Sequence, residues 1–456
     1  MSDDGGPVPL DPAFGMAATP AQRTETRRRP LRDLLIGQAV SSLGDWMGTV
    51  ALMALVLEIT DSATAVGGVL VLRLAPTILA GPLAARLTRR WSRRRTMLAM
   101  DAVRVPAVAI LPWVTQLWWI YIWAFVVELA GMVFLPARDA SIPDLVDDED
   151  DLAVANGLVL GTSYGMIPFG AGLFALVSAV TGEASTVEAA RVIFLVDALT
   201  FVASYLAIAR LPELGIGAGA ADAAGGRFRD ALRLPLVRRL APVAAVVAFG
   251  LGALFSIGIV WVNEVLDASD TEFGLLVACF GVGAAGGLLI LRQLDRRDLA
   301  LVRTLLILLG AVVAVMSQAP AIGLALLGAL GFGGLCAMVL ATSMELLQQH
   351  LGERDRLLGF AVFHVVIRGG LALAAMGAGI ASDVLDRVSW PLLGRLESSQ
   401  VVLLSSGGLV ILVAVLAGRP GGVAAEPAVD AIDDASARAH PRMERGQSGP
   451  TPPAAP

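Results

Sequence analysis

No lysine occurs anywhere in the 456 residues, so all 34 basic side chains are arginine. That absence excludes a phosphate-binding loop built on lysine and any enzyme working through a lysine Schiff base. Cysteine is nearly absent as well. Cys279 and Cys336 both lie in apolar segments, which rules against a disulfide framework or a cysteine-rich zinc site. Histidine occurs three times, and no His/Asp/Glu group has metal-ligand spacing, so neither a metal nor a cofactor is expected. Charge itself is scarce, at 16% of residues, which excludes an ordinary soluble domain. The net charge is −6, and the arginines fall in short clusters between apolar runs. They line no single face, so nucleic acid is not an expected partner.

Apolar sequence fills the space that charge leaves. Hydrophobic residues make up 56% of the chain and the mean hydropathy is +0.72, a composition suited to a lipid bilayer. Windows of about 20 apolar residues, the length of one crossing, predict an all-α membrane protein with twelve spans. They lie near 34–57, 64–85, 96–115, 117–137, 152–179, 191–210, 240–263, 272–292, 300–318, 320–347, 357–383 and 399–418. The domain plan is a polar tail (1–31), a six-helix half (32–211), a Gly/Ala- and Arg-rich linker (212–237), a second six-helix half (238–418) and a second tail (419–456). The tails lack apolar periodicity and are expected to be disordered. The first 30 residues are polar and the first apolar stretch is a full span, so no cleavable signal peptide is expected.

Alternating the loops places 28 of the 34 arginines on the side of the two termini. Three (Arg191, Arg387, Arg395) fall opposite, and Arg73, Arg104 and Arg368 fall within spans. By the bias of positive loops toward the cytoplasm, both termini are expected there. The halves echo one another at a shift of 207 residues, with Thr64 on Thr271, Gly67 on Gly274 and Arg89-Arg90 on Arg296-Arg297. Two parallel six-helix repeats are a transporter plan whose site lies at the midplane.

Four stretches carry a resemblance: "SSLGDW" in span one, "RLAPTILAGPLAARLTRRWSRRR" through span two and its loop, "FLPARDASIPDLV" ending span four, and "LAVANGL" opening span five. Over residues 32–418 the chain resembles the major facilitator superfamily, and within it the drug/proton antiporter branch that includes macrolide-efflux-type exporters. The resemblance implies two pseudo-symmetric six-helix halves and alternating access. It also implies proton-coupled efflux of an amphipathic small molecule across a bacterial inner membrane. Its basic loop implies a cytoplasmic gate made by Gly81, Arg89, Arg90, Arg93, Arg94, Asp101, Arg104 and Arg138. Arg89 stands where the family usually carries an aspartate that latches this gate, and the acidic run Asp147–Asp151 either supplies part of that latch or is a solvated charge run that contributes little. Span five reads "GLVLGTSYGMIPFGAG" in place of the antiporters' Gly-Pro-rich motif. Gly157, Gly161 and Gly165 recur every fourth residue and are expected to let another helix approach, with Pro168 bending the span.

Ionisable groups at membrane depth default to function. Asp45, Arg73 and Glu128 lie near mid-span. With Glu345 and Arg368 they are the candidates for the proton-coupling and substrate cavity. Glu128 is either a proton carrier and cationic-substrate contact or a structural carboxyl bound to Arg73 or a neighbouring helix. Asp101 and Arg104, three apart, are expected to pair with each other or with the basic loop. "GVGAAG" at 281–286 and "GTSYG" at 161–165 match nucleotide-loop and nucleophile-elbow patterns, but no strand precedes either. The expected partners are a small-molecule substrate, protons and the lipid bilayer. Uptake or exchange of a metabolite, or a membrane sensor or scaffold that does not transport, stay open beside efflux. Oligomeric state is also left open.

Overall fold

The computed structural model describes residues 20–74, 76, 90–146, 155, 157–159, 161–163, 165–181, 186–215, 232–294, 297–387 and 396–417. Twelve principal helices appear in chain order among them. The first half holds α1 (Pro20–Thr60), α2 (Ala63–Leu74), α3 (Arg93–Ile110), α4 (Leu117–Ser141), α5 (Ile167–Thr181) and α6 (Thr186–Ala209). The second holds α7 (Pro235–Glu264), α8 (Asp270–Leu291), α9 (Leu299–Met316), α10 (Ile322–His350), α11 (Glu353–Arg387) and α12 (Ser398–Ala417). Eleven segments among the described residues are long and apolar enough to cross a membrane, and Ala63–Leu72 is a shorter apolar one. The remainder of the second expected span lies outside the described residues.

Local chemistry sets several helix starts. The Ser92 hydroxyl accepts the Arg95 amide at the head of α3. Ser269 and Glu272 form a reciprocal capping box on α8, and Asp298 accepts the Leu301 amide at 2.8 Å on α9. One boundary differs from the sequence reading. The first helix begins at Pro20 and runs through Pro30, so it enters the segment expected as a disordered tail. Pro20 stands at the first helical position, where proline is tolerated, and the arginines and leucines on either side of Pro30 are strong helix formers.

Within the first half α1 packs on α5 and α6, and α3 packs on α4 and α6. The second half repeats these pairs as α7 with α11 and α12, and α9 with α10 and α12. Between halves α2 meets α11 and α5 meets α8. These two seams exchange under the same six-helix shift, as a two-fold pseudo-symmetry requires. Trp261, Phe201, Phe273, Phe332 and Phe363 are fully buried. Leu199, Leu327, Leu373 and Val180 point outward. In water that apolar surface would aggregate; in a bilayer it is the lipid contact.

Candidate functional site

A cavity of about 40 Å³ lies inside the first half, lined by Asp45, Gly48, Thr49 and Leu52 of α1, Val108 and Leu111 of and after α3, Ala124, Val127 and Glu128 of α4, and Phe194 and Asp197 of α6. Water needs roughly 10–15 Å³ of such space, so the cavity admits one to a few water molecules. Drug-sized ligands occupy sites of about 300–1,000 Å³. The cavity itself therefore has room for water and not for a whole drug-sized molecule.

Three carboxyl groups from three helices share it. Asp45 and Glu128 are expected from the sequence; Asp197 is an addition. Asp197 is 3% exposed, and α1 makes room for it by having no side chain where the carboxylate lies. A Cβ on Gly48 would sit 2.9 Å from its Oδ2, and one on Gly44 would collide with its Oδ1 and with Thr200 Oγ1. The Thr200 hydroxyl lies 2.7 Å from the Asp197 carbonyl oxygen, to which it donates, and 3.2 Å from Asp197 Oδ1. The two glycines of "LGDWMG" thus serve a carboxylate on α6, while Thr49 turns its hydroxyl back to the Asp45 carbonyl at 2.6 Å. The signal that could have found Asp197 is the one that found Glu128: a single acid near the middle of an apolar helix, here "IFLVDALTF".

The other expected cavity residues are not brought to this chamber. Glu345 lies toward the carboxyl end of α10, where Arg297 Nη1 donates to its Oε2 at 2.8 Å and Gln349 donates to its Oε1 at 3.1 Å. Arg368 of α11 donates to Met132 Sδ of α4 at 3.4 Å, joining the two halves near mid-depth. Arg73 falls in α2, and its side chain lies outside the described residues.

Among the gate residues, Gly81 and Arg89 lie outside the described residues, as does the acidic run 147–151. Arg90 is exposed. Arg93 Nη1 reaches the Ala140 carbonyl at 2.7 Å and Asp144 Oδ2 at 2.6 Å, in the motif that ends span four. Arg94 binds Glu213 at 3.1 Å and the carbonyls of Ile208 and Ala209 at the end of α6. Arg138 is buried, pairs with Asp139 at 2.7 Å and donates to Ser163 Oγ at 3.3 Å. These arginines tie helix ends together within the first half. Asp101 and Arg104 pair with each other in its interior, where Asp101 also accepts the Ser204 hydroxyl at 2.8 Å.

The glycine stripe of span five is a correction. Gly157 and Gly161 are exposed, and among the described residues a Cβ on either would meet nothing within 4 Å; one on Gly165 would meet only the carbonyl region of Gly161. The chain turns at Gly165 and Met166 before α5 begins at Ile167. Pro168 does pack there: a Cβ on Gly281 of α8 would lie 2.6 Å from its Cδ. The close approach is supplied by Gly274 and Gly281 on the facing helix.

With helix count, pseudo-symmetric seams and buried mid-span acids in place, the sequence match becomes decisive. The profile of the Major Facilitator Superfamily covers residues 34–375. The chain belongs to the Major Facilitator Superfamily. It is a multi-pass membrane transporter and not an enzyme. A 122-residue stretch is 28% identical to the uncharacterized MFS-type transporter YfiS of Bacillus subtilis (strain 168), covering 26% of this chain and 29% of that relative. The match thus spans under a third of that protein's length. The fold is similar to a bacterial homologue of the human lysosomal transporter Spinster in an inward-facing, unoccupied conformation (TM-score 0.69, 15% identity, 88% of this chain and 96% of that one). It is also similar to a bacterial homologue of the iron transporter ferroportin in an inward-facing state (TM-score 0.67, 13% identity, 86% and 99%). A third likeness is to the nucleoside transporter NupG (TM-score 0.63, 12% identity, 85% and 98%). At these identities the likeness concerns the fold alone.

Proposed function

We propose that this transporter exports an amphipathic small molecule from a bacterial cytoplasm against inward proton flow, with Asp45, Glu128 and Asp197 holding the coupling proton. The observation that carries the reading is the convergence of three mid-span acids from α1, α4 and α6 on one small chamber. Carboxyl groups at membrane depth are the side chains that relay protons in transporters, and three of them meet in this one place. In a chamber without room for a whole drug-sized molecule, the proton is held apart from the cargo. Coupling then runs through α1 and α4, which in this family face the central passage. The arginine asymmetry supports cytoplasmic termini in a bacterial inner membrane. The far end of the bundle, opposite the termini, is then extracytoplasmic.

The test is accumulation of fluorescent lipophilic cations and macrolide-type compounds in pump-deficient cells, with and without a protonophore. Wild type should lower accumulation, the protonophore should abolish the difference, and Glu128→Gln should behave as empty vector at normal membrane level. Equal accumulation in all strains would remove the export reading. Uptake or exchange of a metabolite is the second reading, favoured by the departure of span five from the antiporter motif; wild type would then raise accumulation of its solute. A scaffold that does not transport would tolerate Glu128→Gln and Asp45→Asn alike.

A further inference from the structure

The α2 helix begins on the far side of the bundle, immediately after the turn at Asp61, whose φ is 47°. Its first amides need acceptors, as those of every helix do. Ser62 serves as its own half's cap, accepting the Ala65 amide at 3.2 Å. The other acceptor comes from the opposite half. Asp383 of α11 takes the Ser62 hydroxyl at 2.7 Å, the Ala63 amide at 3.0 Å and the Thr64 amide at 3.2 Å. For α11 itself, a carboxylate one turn from the carboxyl end sits at the unfavourable pole of the helix dipole. The position makes sense as a cap for α2, where the pole is positive.

The surrounding seam is built for close contact. A Cβ on Gly67 would lie 2.5 Å from the Ala375 carbonyl, and one on Gly379 would collide with the Ala63 carbonyl. Ser256 of α7 donates to that same Ala63 carbonyl at 3.4 Å. At the second seam Thr186, which opens α6, donates to Asp270 of α8 at 3.0 Å. The far end is therefore closed by contacts between halves, and Asp383 makes three of its hydrogen bonds.

We propose that Asp383 is the latch of the far gate: its carboxylate caps α2 when the halves meet there and releases it when they part. The latch is reversible because Asp383, Ser62 and Thr64 are only half-buried. Water can replace each bond on opening, so the latch biases the equilibrium without locking it. The proposal rests on the fold and on alternating access. It does not depend on the substrate or on proton coupling.

Pulsed electron paramagnetic resonance tests it. Spin labels are placed at Thr115→Cys and Ala321→Cys, exposed loop positions at the far end of opposite halves, in a Cys279→Ser, Cys336→Ala background. The unmodified gate should show mainly the short distance. Asp383→Ala should raise the ratio of long to short distances about tenfold, the scale of losing charge-assisted hydrogen bonds. Asp386→Asn should leave the distribution as it was; it removes a rim charge that, like Asp383, repels Glu264. If Asp383→Ala does not yield folded protein, Asp383→Asn is measured in its place, with the same direction expected and a smaller shift. An unchanged distribution in a folded Asp383 variant overturns the proposal. So does an equal shift from Asp386→Asn, which would mean that only rim charge matters.

Discussion

Arg104→Met is expected to destabilise the first half severely, and the structure sets the size of the effect. Arg104 is 5% exposed and Asp101 is fully buried. The guanidinium donates to Asp101 and lies 4.6 Å from the Phe134 ring centroid and 4.3 Å from that of Phe201. Methionine keeps much of the side-chain volume but removes the charge, leaving Asp101 with the Ser204 hydroxyl at 2.8 Å. Breaking a buried ion pair by removing one partner costs about 3–5 kcal/mol, and loss of the ring contacts adds about 1 kcal/mol. A drop in melting temperature of roughly 5–10 °C should follow. Asp101→Asn added to Arg104→Met removes the orphaned charge and should recover more than half of that loss. The assay is thermal unfolding of purified protein in detergent, followed by fluorescence-detected size exclusion. If Arg104→Met melted within a degree of wild type, or if the double variant were worse than the single, the buried pair would not be what stabilises the first half.

Three further outcomes follow from other parts of the structure. Gly48→Val would drive methyl groups toward the Asp197 carboxylate, since even a Cβ lies 2.9 Å from Oδ2. It should abolish protonophore-sensitive transport and cost about 1–3 kcal/mol of stability by overpacking, while valine at the open Gly157 position should do neither. Gly67→Val would wedge the α2 and α11 seam against the Ala375 carbonyl and should lengthen the distance between far-end spin labels without any change of charge. Glu345→Gln breaks an ion pair with Arg297 whose side chains are 26% and 29% exposed; it should cost under about 1 kcal/mol and leave transport intact in the accumulation assay.

Much of this architecture is legible in the sequence because lipid imposes a simple rule, namely one apolar run per crossing. Most helices fall within a few residues of the expected spans, and a pair such as Asp101 and Arg104 can be read from spacing because helical neighbours meet at three and four residues. What spacing does not give is the direction a face points. Gly157, Gly161 and Gly165 form a regular stripe, yet no other helix among the described residues lies against it. Gly44 and Gly48 look like packing glycines until the Asp197 carboxylate is seen between them and α6. Partners far apart in sequence are equally hidden. Arg297 is 48 residues from Glu345, and Asp383 is 321 from Ser62, so nothing local announces either contact. Asp197 is the avoidable omission, since a lone acid amid the apolar residues of α6 is visible in the sequence itself.

The central claim is that the chamber of the first half holds the coupling proton. It is tested most directly in inverted membrane vesicles energised by respiration, using a compound from the accumulation panel and a fluorescent pH probe. Addition of that compound should release protons from wild-type vesicles, and Asp45→Asn, Glu128→Gln and Asp197→Asn should each abolish the release while the protein remains folded and in the membrane. Wild-type proton release from Glu128→Gln and Asp197→Asn would contradict the account and place the coupling site elsewhere.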